Sequence, residues 1–353
     1  MIGKWLQRIM LVGSGFLFIL ALTPSAQRWL SRHKVIPDQY NYGDLYNLSN
    51  LAQFREVDYI REATLTQEDK PAKRNSTVDL YTIGDSFTHI DTSFYAGNRN
   101  IHSWANYEPT VKAVLDTTKK NILVLEFVER VLQERLYWPD YHINYIQNGI
   151  VFADDEKLAP VEKVVVANKP SAPVWLQFRF GSQINQRLEF LLFNNELFLR
   201  IKEWKAALLY AVFGRLSGVR LSSNRQHLFY EFEADSVNRA SSFKHLTDQQ
   251  IDTMVTNLNT IRKHYLAKGF DEVYICLIPN KVTVLEPMYG TYNHQIARIE
   301  AHPGLQAPLL STIDTLRQHP DWYHPGDGHW NRKGKQFWIR QVNALAATWA
   351  EKR

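Results

Sequence analysis

Cysteine is almost absent: Cys276 is the single one in 353 residues. It stands in the apolar run Val273 to Ile278, where it packs as a small hydrophobe. One cysteine excludes an intramolecular disulfide and a Cys-based zinc cluster, and it leaves the compartment open because many exported proteins carry no disulfide. A large excess of one charge sign is missing too. Forty-one Lys plus Arg against thirty-six Asp plus Glu leave a formal +5 spread along the chain. That is no nucleic-acid footprint, and at most it favours an anionic polymer or a membrane surface. Internal repeats, low-complexity tracts and coenzyme-binding motifs are missing as well.

What is present is a globular composition, 45% apolar and 22% charged, long enough for one substantial core with an elaborated insert. Residues 1–30 read as an export segment. Lys4 and Arg8 precede an apolar run of fourteen residues, Ile9 to Leu22, followed by Thr23-Pro24-Ser25-Ala26. A full span wants about 20 apolar residues, so the run is borderline between a retained signal anchor, contacting the membrane through residues 5–26, and a cleaved signal peptide. The positive residues stay inside, and everything after Arg28 then faces outward.

Residues 31–76 are polar, rich in Tyr and Asn, and read as a spacer. A short apolar run, Val78 to Ile83, predicts a buried strand, and Asn121 to Phe127 predicts a second. Between them Thr110 to Lys119 predicts a short helix, whereas the stretch holding Asn98, Asn100, His102, Trp104 and Asn106 fits no element. Residues 137–240 have a different texture. Val161 to Val166 and Val174 to Phe180 alternate like strands, and Leu188 to Leu216 reads as one or two helices broken near Asn194-Asn195. This stretch is treated as an insertion. The α/β rhythm resumes at Thr247-Asp-Gln-Gln250, a capping box before Ile251, Met254, Val255, Leu258 and Ile261 at helical spacing, with Gly269 closing the helix. Glu272 to Ile278 is the strand that follows, giving a βαβ half-unit and hence a mainly parallel sheet. Ala307 to Arg317 and Lys335 to Glu351 predict two further helices.

Chemistry concentrates at two distant places. Gly84-Asp85-Ser86 breaks the first strand in the manner of a tight strand-to-helix turn, which sets Ser86 at the carboxyl edge of the sheet, where ligands bind. The amides opening the next helix would face a developing anion. A serine hydroxyl needs a base, and the base needs a carboxylate to fix its tautomer. His324-Pro-Gly-Asp327-Gly-His329-Trp330-Asn331-x-x-Gly334 supplies both just before the terminal helix, making Ser86, His329 and Asp327 the candidate catalytic set. By type and spacing His324, Asp327 and His329 also suit a metal, but the serine explains two of them without one, so no metal is expected. His89 would lie one helical turn beyond Ser86. Lys281 follows a strand's end and so falls at the same edge, although a surface position is the commoner one for a lysine.

Gly84-Asp85-Ser86-Phe87 resembles the first block of the SGNH (GDSL-type) hydrolase superfamily, and Asp327-Gly-His329-Trp330-Asn331-x-x-Gly334 resembles its last. The Asp-x-His-Trp form, together with Leu125-Glu126-Phe127-Val128-Glu129-Arg130 after a strand, is similar to a branch of exported proteins like the alginate O-acetyltransferases. The resemblance spans residues 77–136 and 245–350. It departs from the superfamily in placing Asp two rather than three residues before His, and from the alginate branch in placing the serine first, as in the membrane-anchored teichoic-acid D-alanyl-transfer protein. It implies an α/β, three-layer flavodoxin-like SGNH domain over residues 77–136 and 241–353, with a mainly parallel sheet, an N-terminal membrane helix and a mixed insertion at 137–240. Ser86 is then nucleophile, His329 base and Asp327 its orienting carboxylate. Gly97 and Asn98 are the nearest candidates for the oxyanion block, with Asn106 an equal alternative. The Gly-x-Asn of the third block is absent, leaving the Ser86 amide and Arg130 as further donors; for Arg130 a salt bridge to Glu126 is the competing role. The implied activity is transfer of an acetyl group onto a cell-surface or secreted polysaccharide, from a donor delivered by a multispanning membrane O-acyltransferase, with no cofactor. A carbohydrate esterase and a non-catalytic glycan-binding or assembly protein are the alternatives.

Overall fold

A computed structural model describes residues 2–23, 29–30, 45, 48–49, 51–56, 59–105, 111–138, 142–147, 149–152, 188, 191–192, 196–216 and 218–351. The chain divides into two units, one of Met1–Asn41, Tyr46–Ala52 and Ala159–Leu216, the other of Tyr42–Leu45, Gln53–Leu158 and Ser217–Arg353.

In the first unit, helices cover Ile2–Leu22 and Glu196–Phe213, and Leu191 is buried with Leu20, Leu30 and Leu188 packed against it. Trp5, Leu6, Ile9, Leu11 and Phe16 are exposed. Among the described residues no helix is long and apolar enough to cross a membrane, so the expected N-terminal membrane helix is not supported. Fourteen apolar residues at 1.5 Å rise cover about 21 Å, short of the ~30 Å hydrocarbon core. The strands expected at 161–166 and 174–180 and the break at 194–195 lie outside the described residues, as does Asn106.

The second unit is built on a four-stranded, wholly parallel sheet. Its strands are β1 (Val78–Gly84), β2 (Asn100–Trp104), β4 (Lys120–Val128) and β8 (Glu272–Ile278), in the order β2-β1-β4-β8. Two small ladders flank it: β3 (Val111–Ala113) parallel with β5 (Ile150–Phe152), and β6 (Val219–Leu221) antiparallel with β7 (Leu228–Tyr230).

Period-two alternation divides the core. Tyr81, Ile83, Leu123, Leu125, Phe127, Val273, Ile275 and Leu277 pack on one side with Ile251, Met254, Val255, Leu258, Ile261 and Tyr265 of the helix Asp248–Ala267. Val78, Leu80, Ile122, Val124, Cys276 and Ile278 pack on the other with Trp338, Ile339, Val342 and Leu345 of the helix Arg332–Glu351. Each such side chain is worth ~1.5–3 kcal/mol when fully buried, so the helices are held by their faces rather than by propensity. The Thr247–Gln250 capping box forms, and Gly269 takes φ 105° just past the helix end, the conformation glycine adopts freely.

Several expectations need correction. Of the stretch expected as a helix at Thr110 to Lys119, the described residues 111–119 hold none: Val111 pairs with Ile150, and Asp116 turns the chain by accepting from Thr118 N–H and Oγ1–H. Only Ile313–Gln318 is helical in the stretch expected at Ala307 to Arg317. Upstream, Pro308 O accepts from Ile275 N–H, and Ile275 O from Leu310 N–H, at the sheet's edge. The second unit cuts across the expected insertion, taking in 142–152 and 218–240. The later part of the expected spacer is packed: Asp69 accepts from Arg332 and Gln336, and the Lys335 ammonium donates to Ala63 O.

A candidate Ser-His-Asp site at the carboxyl edge of the sheet

In sequence order the sheet reads second, first, third, fourth, so its order reverses between β1 and β4. Crevices at the carboxyl ends of the strands form at such a point. Ser86, two residues past β1, is exposed there. Its Oγ lies 2.7 Å from His329 Nε2, across 243 residues of chain. His329 Nδ1 lies 2.6 Å from Asp327 Oδ1, and the His329 N–H donates to that same oxygen at 2.8 Å. Asp327 is 2% exposed. With its Nδ1–H directed at a buried carboxylate, the ring leaves Nε2 to accept the serine proton.

The turn carrying Ser86 is held from several sides. The Asp85 carboxylate accepts from Phe87 N–H at 3.0 Å, and the Asp85 carbonyl accepts from Thr88 N–H at 3.2 Å. Below it, Glu126 Oε2 accepts the Asp85 N–H at 2.8 Å and the Thr88 hydroxyl at 3.0 Å. Gly84 permits this approach, since a Cβ there would stand 2.5 Å from Glu126 Oε2 and closer still to Thr88 Oγ1. Burial, with the neighbouring Asp85 carboxylate adding to it, pushes the Glu126 carboxyl up to about 8. Trp330, fully buried, donates its indole N–H to the Phe87 carbonyl at 2.9 Å, and the Phe87 ring centroid lies 4.7 Å from that of His329.

No helix follows Ser86, contrary to expectation. Residues 86–88 form a turn, and the next regular element is the 3₁₀ turn Thr92–Phe94, whose Ser93 N–H donates to Asp91. The helix-opening amides expected beside Ser86 are therefore missing among the described residues. His89 is accordingly not on a helix; its ring lies 4.8 Å from that of Trp104 and 5.6 Å from that of His102. His102 is held neutral, its pKa lowered to about 4 by burial and then by His89.

Gly97 and Asn98 are not at the site. Asn98 N–H donates to Val78 O, its side chain donates to Asp79 Oδ1 at 2.9 Å, and Gly97 bridges Asn75. All of these partners lie at or before the amino end of β1, roughly 20 Å of strand from its carboxyl end. Arg130 is nearer. Its guanidinium pairs with Glu233 at 2.8 Å, not with Glu126, and lies over the rings of Phe87 and Tyr230. Burial opposes its charge, but Glu233 and Asp85 outweigh burial and raise its pKa. Its Nη1 would stand 3.5 Å from a Cβ on Gly328, between Asp327 and His329.

Lys281 lies at the sheet's edge rather than at the surface, the commoner place for a lysine: it is 1% exposed, and its ammonium reaches the carbonyls of His324, Pro325 and Asp327. His324 is buried with its Nδ1 against Glu56 Oε2. Lys281 and Glu233 belong to no motif, and Glu126 stands in the Leu125 to Arg130 block without a role assigned to it. The readable signals were the polar Glu126 within the apolar run Ile122 to Val128 and the position of Lys281 three residues after β8. Trp330 stood in the Asp-x-His-Trp pattern, but its bond to Phe87 was not read from it.

A parallel α/β sheet with a hydrogen-bonded Ser-His-Asp array at its carboxyl edge is the class that the geometry defines. No family model matches the chain, and neither does any curated protein or solved structure.

Proposed function

We propose that the protein is an exported SGNH-type O-acyltransferase that moves an acetyl group through a Ser86 acyl-enzyme onto a cell-surface or secreted polysaccharide. The observation that carries this reading is the 2.7 Å approach of Ser86 Oγ to an imidazole whose other nitrogen meets buried Asp327. The sheet order and the sequence blocks around Ser86 and His329 support a flavodoxin-like, three-layer SGNH domain.

In the first half-reaction Ser86 Oγ attacks the acetyl carbonyl while Nε2 of His329 takes its proton. Collapse of the tetrahedral adduct breaks the bond to the donor oxygen, which leaves with that proton, and the acetyl stays on Ser86. A sugar hydroxyl then gives its proton to Nε2, attacks the ester and releases Ser86 reprotonated. Asp327 keeps the imidazole in the accepting tautomer. A donor to the tetrahedral oxyanion is worth ~3 kcal/mol, and the backbone N–H of Ser86 is assigned that part. Arg130, charged and stacked on Phe87, steadies the turn that presents it. The acetyl group comes from a multispanning membrane O-acyltransferase, and the export segment at 1–30 directs the domain outward to the polymer.

The test is to incubate the protein and Ser86→Ala with nitrophenyl acetate and a panel of glycans, following acetyl by mass. Acetylated glycan that depends on Ser86 supports transfer. Free acetate alone makes the protein an esterase. Equal behaviour of the two proteins overturns catalysis and leaves glycan binding or assembly.

A further inference from the structure

A buried ammonium stands at the centre of the loop that carries the base. Lys281 opens the short helix Lys281–Leu285 just after β8. Its Nζ donates to the carbonyls of His324 at 2.5 Å, Pro325 at 2.7 Å, Leu228 at 2.9 Å and Asp327 at 3.1 Å. Three of the four belong to the segment that ends in Asp327 and His329, and the fourth belongs to β7. That strand is joined to the segment again by the Leu228 N–H bond to Pro325 O. Two further backbone contacts close the loop: Gly326 O accepts from Leu45 N–H and His329 O from His324 N–H.

An isolated ammonium is costly to bury, and a glycine-rich loop is costly to order. Here each offsets the other. Converging carbonyl dipoles replace the hydration shell of a cation, as rings of carbonyls do for a monovalent ion in a channel filter. From this the geometry points to Lys281 as the positioning residue of the base: a tethered cation that gathers the loop carbonyls and thereby sets Asp327 and His329 in register with Ser86. Lys281 acts through His329 and touches no substrate. Its kinetic consequence rests on the Ser86 acyl-enzyme reading; its effect on the loop does not.

The test uses the full chain and three variants. Lys281→Ala empties the space of the ammonium and most of its stem. kcat for nitrophenyl acetate should fall about 10²-fold with KM little changed, the scale set by an ångström-sized misplacement of a reacting group. Hydrogen exchange at the amides of 324–329 should accelerate in parallel. Added n-propylammonium, which replaces what alanine lacks, should restore both, whereas 1-propanol should restore neither. Lys281→Arg keeps the charge but cannot converge its planar donors on one point, so it should fold and still lose kcat rather than KM. Unchanged kcat and loop exchange in the arginine variant overturn the proposal. So does a folded alanine variant that n-propylammonium leaves unrescued. If the intact protein proves no more active than Ser86→Ala, the acyl-enzyme reading fails, and the exchange measurements alone decide the role of Lys281.

Discussion

The indole N–H of Trp330 donates to the carbonyl of Phe87 at 2.9 Å, so the residue after His329 holds the residue after Ser86. Two loops distant in sequence are thereby tied one position beyond the Ser86–His329 hydrogen bond. Trp330 is fully buried, and Gly334 lies against it, where a Cβ would stand 2.5 Å from the Trp330 Cβ. Trp330→Phe removes the donor and keeps much of the ring. A buried acceptor left without its partner costs ~1–3 kcal/mol, and a denaturation midpoint should fall accordingly. Ester turnover should fall by more than unfolding accounts for, because the Ser86–His329 distance is no longer set. Turnover that tracks only the folded fraction would remove the tie from the account.

Asp327 governs the tautomer of His329. Asp327→Asn keeps the size of the side chain while its amide, turned to give Nδ1 a donor, favours the ring form whose Nε2 carries the hydrogen and cannot accept from Ser86. Losses on the order of 10⁴ in kcat follow such a change where a triad operates. Circular dichroism should be unaltered, and the double variant should be no worse than Ser86→Ala alone. Additive losses in the double variant would mean that the two residues do not act as a unit.

The strands and long helices were readable because their signals are local. β1, β4 and β8 are apolar on both faces, as a central parallel sheet requires, and Asp248–Ala267 repeats its apolar residues at helical spacing between a capping box and a glycine. β2 escaped because it is an edge strand whose residues, Asn100-Ile-His-Ser-Trp104, alternate weakly and are mostly half-buried. The residues after Ser86 looked like a helix start, but Asp85 spends its carboxylate on Phe87 N–H and its carbonyl on Thr88 N–H, which favours an isolated turn. Gly97 and Asn98 were misplaced for a topological reason: the chain runs back to the amino end of β1 before β2 begins. Arg130 and Glu233 meet across 103 residues, a pairing that only the fold creates.

Gly84 has no room for a side chain. A Cβ would stand 2.5 Å from Glu126 Oε2 and meet Thr88 Oγ1 as well. Both side chains are locked in hydrogen bonds, so neither can swing aside without giving up the Asp85 N–H or the Thr88 hydroxyl bond. Gly84→Ala should therefore cost ~1–3 kcal/mol, the usual range for overpacking. Pairing it with Thr88→Val should recover little, because the clash with Glu126 persists. A thermal shift assay on both checks this; a stable Gly84→Ala would show that the turn can move away from Glu126.

Glu126 gives the fold a pH dependence with a definite sign. Its carboxyl titrates at about 8 in the native protein against an ordinary 4.5, because burial and the Asp85 carboxylate disfavour its charge. Between those values the native state holds a proton that the unfolded chain has released. The stability it contributes is full below about 4.5, declines as pH rises, and is lost through about 8. Glu126→Gln keeps an oxygen for the Asp85 N–H and the Thr88 hydroxyl and cannot ionise. Urea midpoints of the native protein should therefore fall between about pH 5 and about pH 8.5 more steeply than those of the variant, with the gap widening toward the alkaline end. Parallel curves for the two proteins would mean that Glu126 is ionised throughout, and the raised value would have to be abandoned.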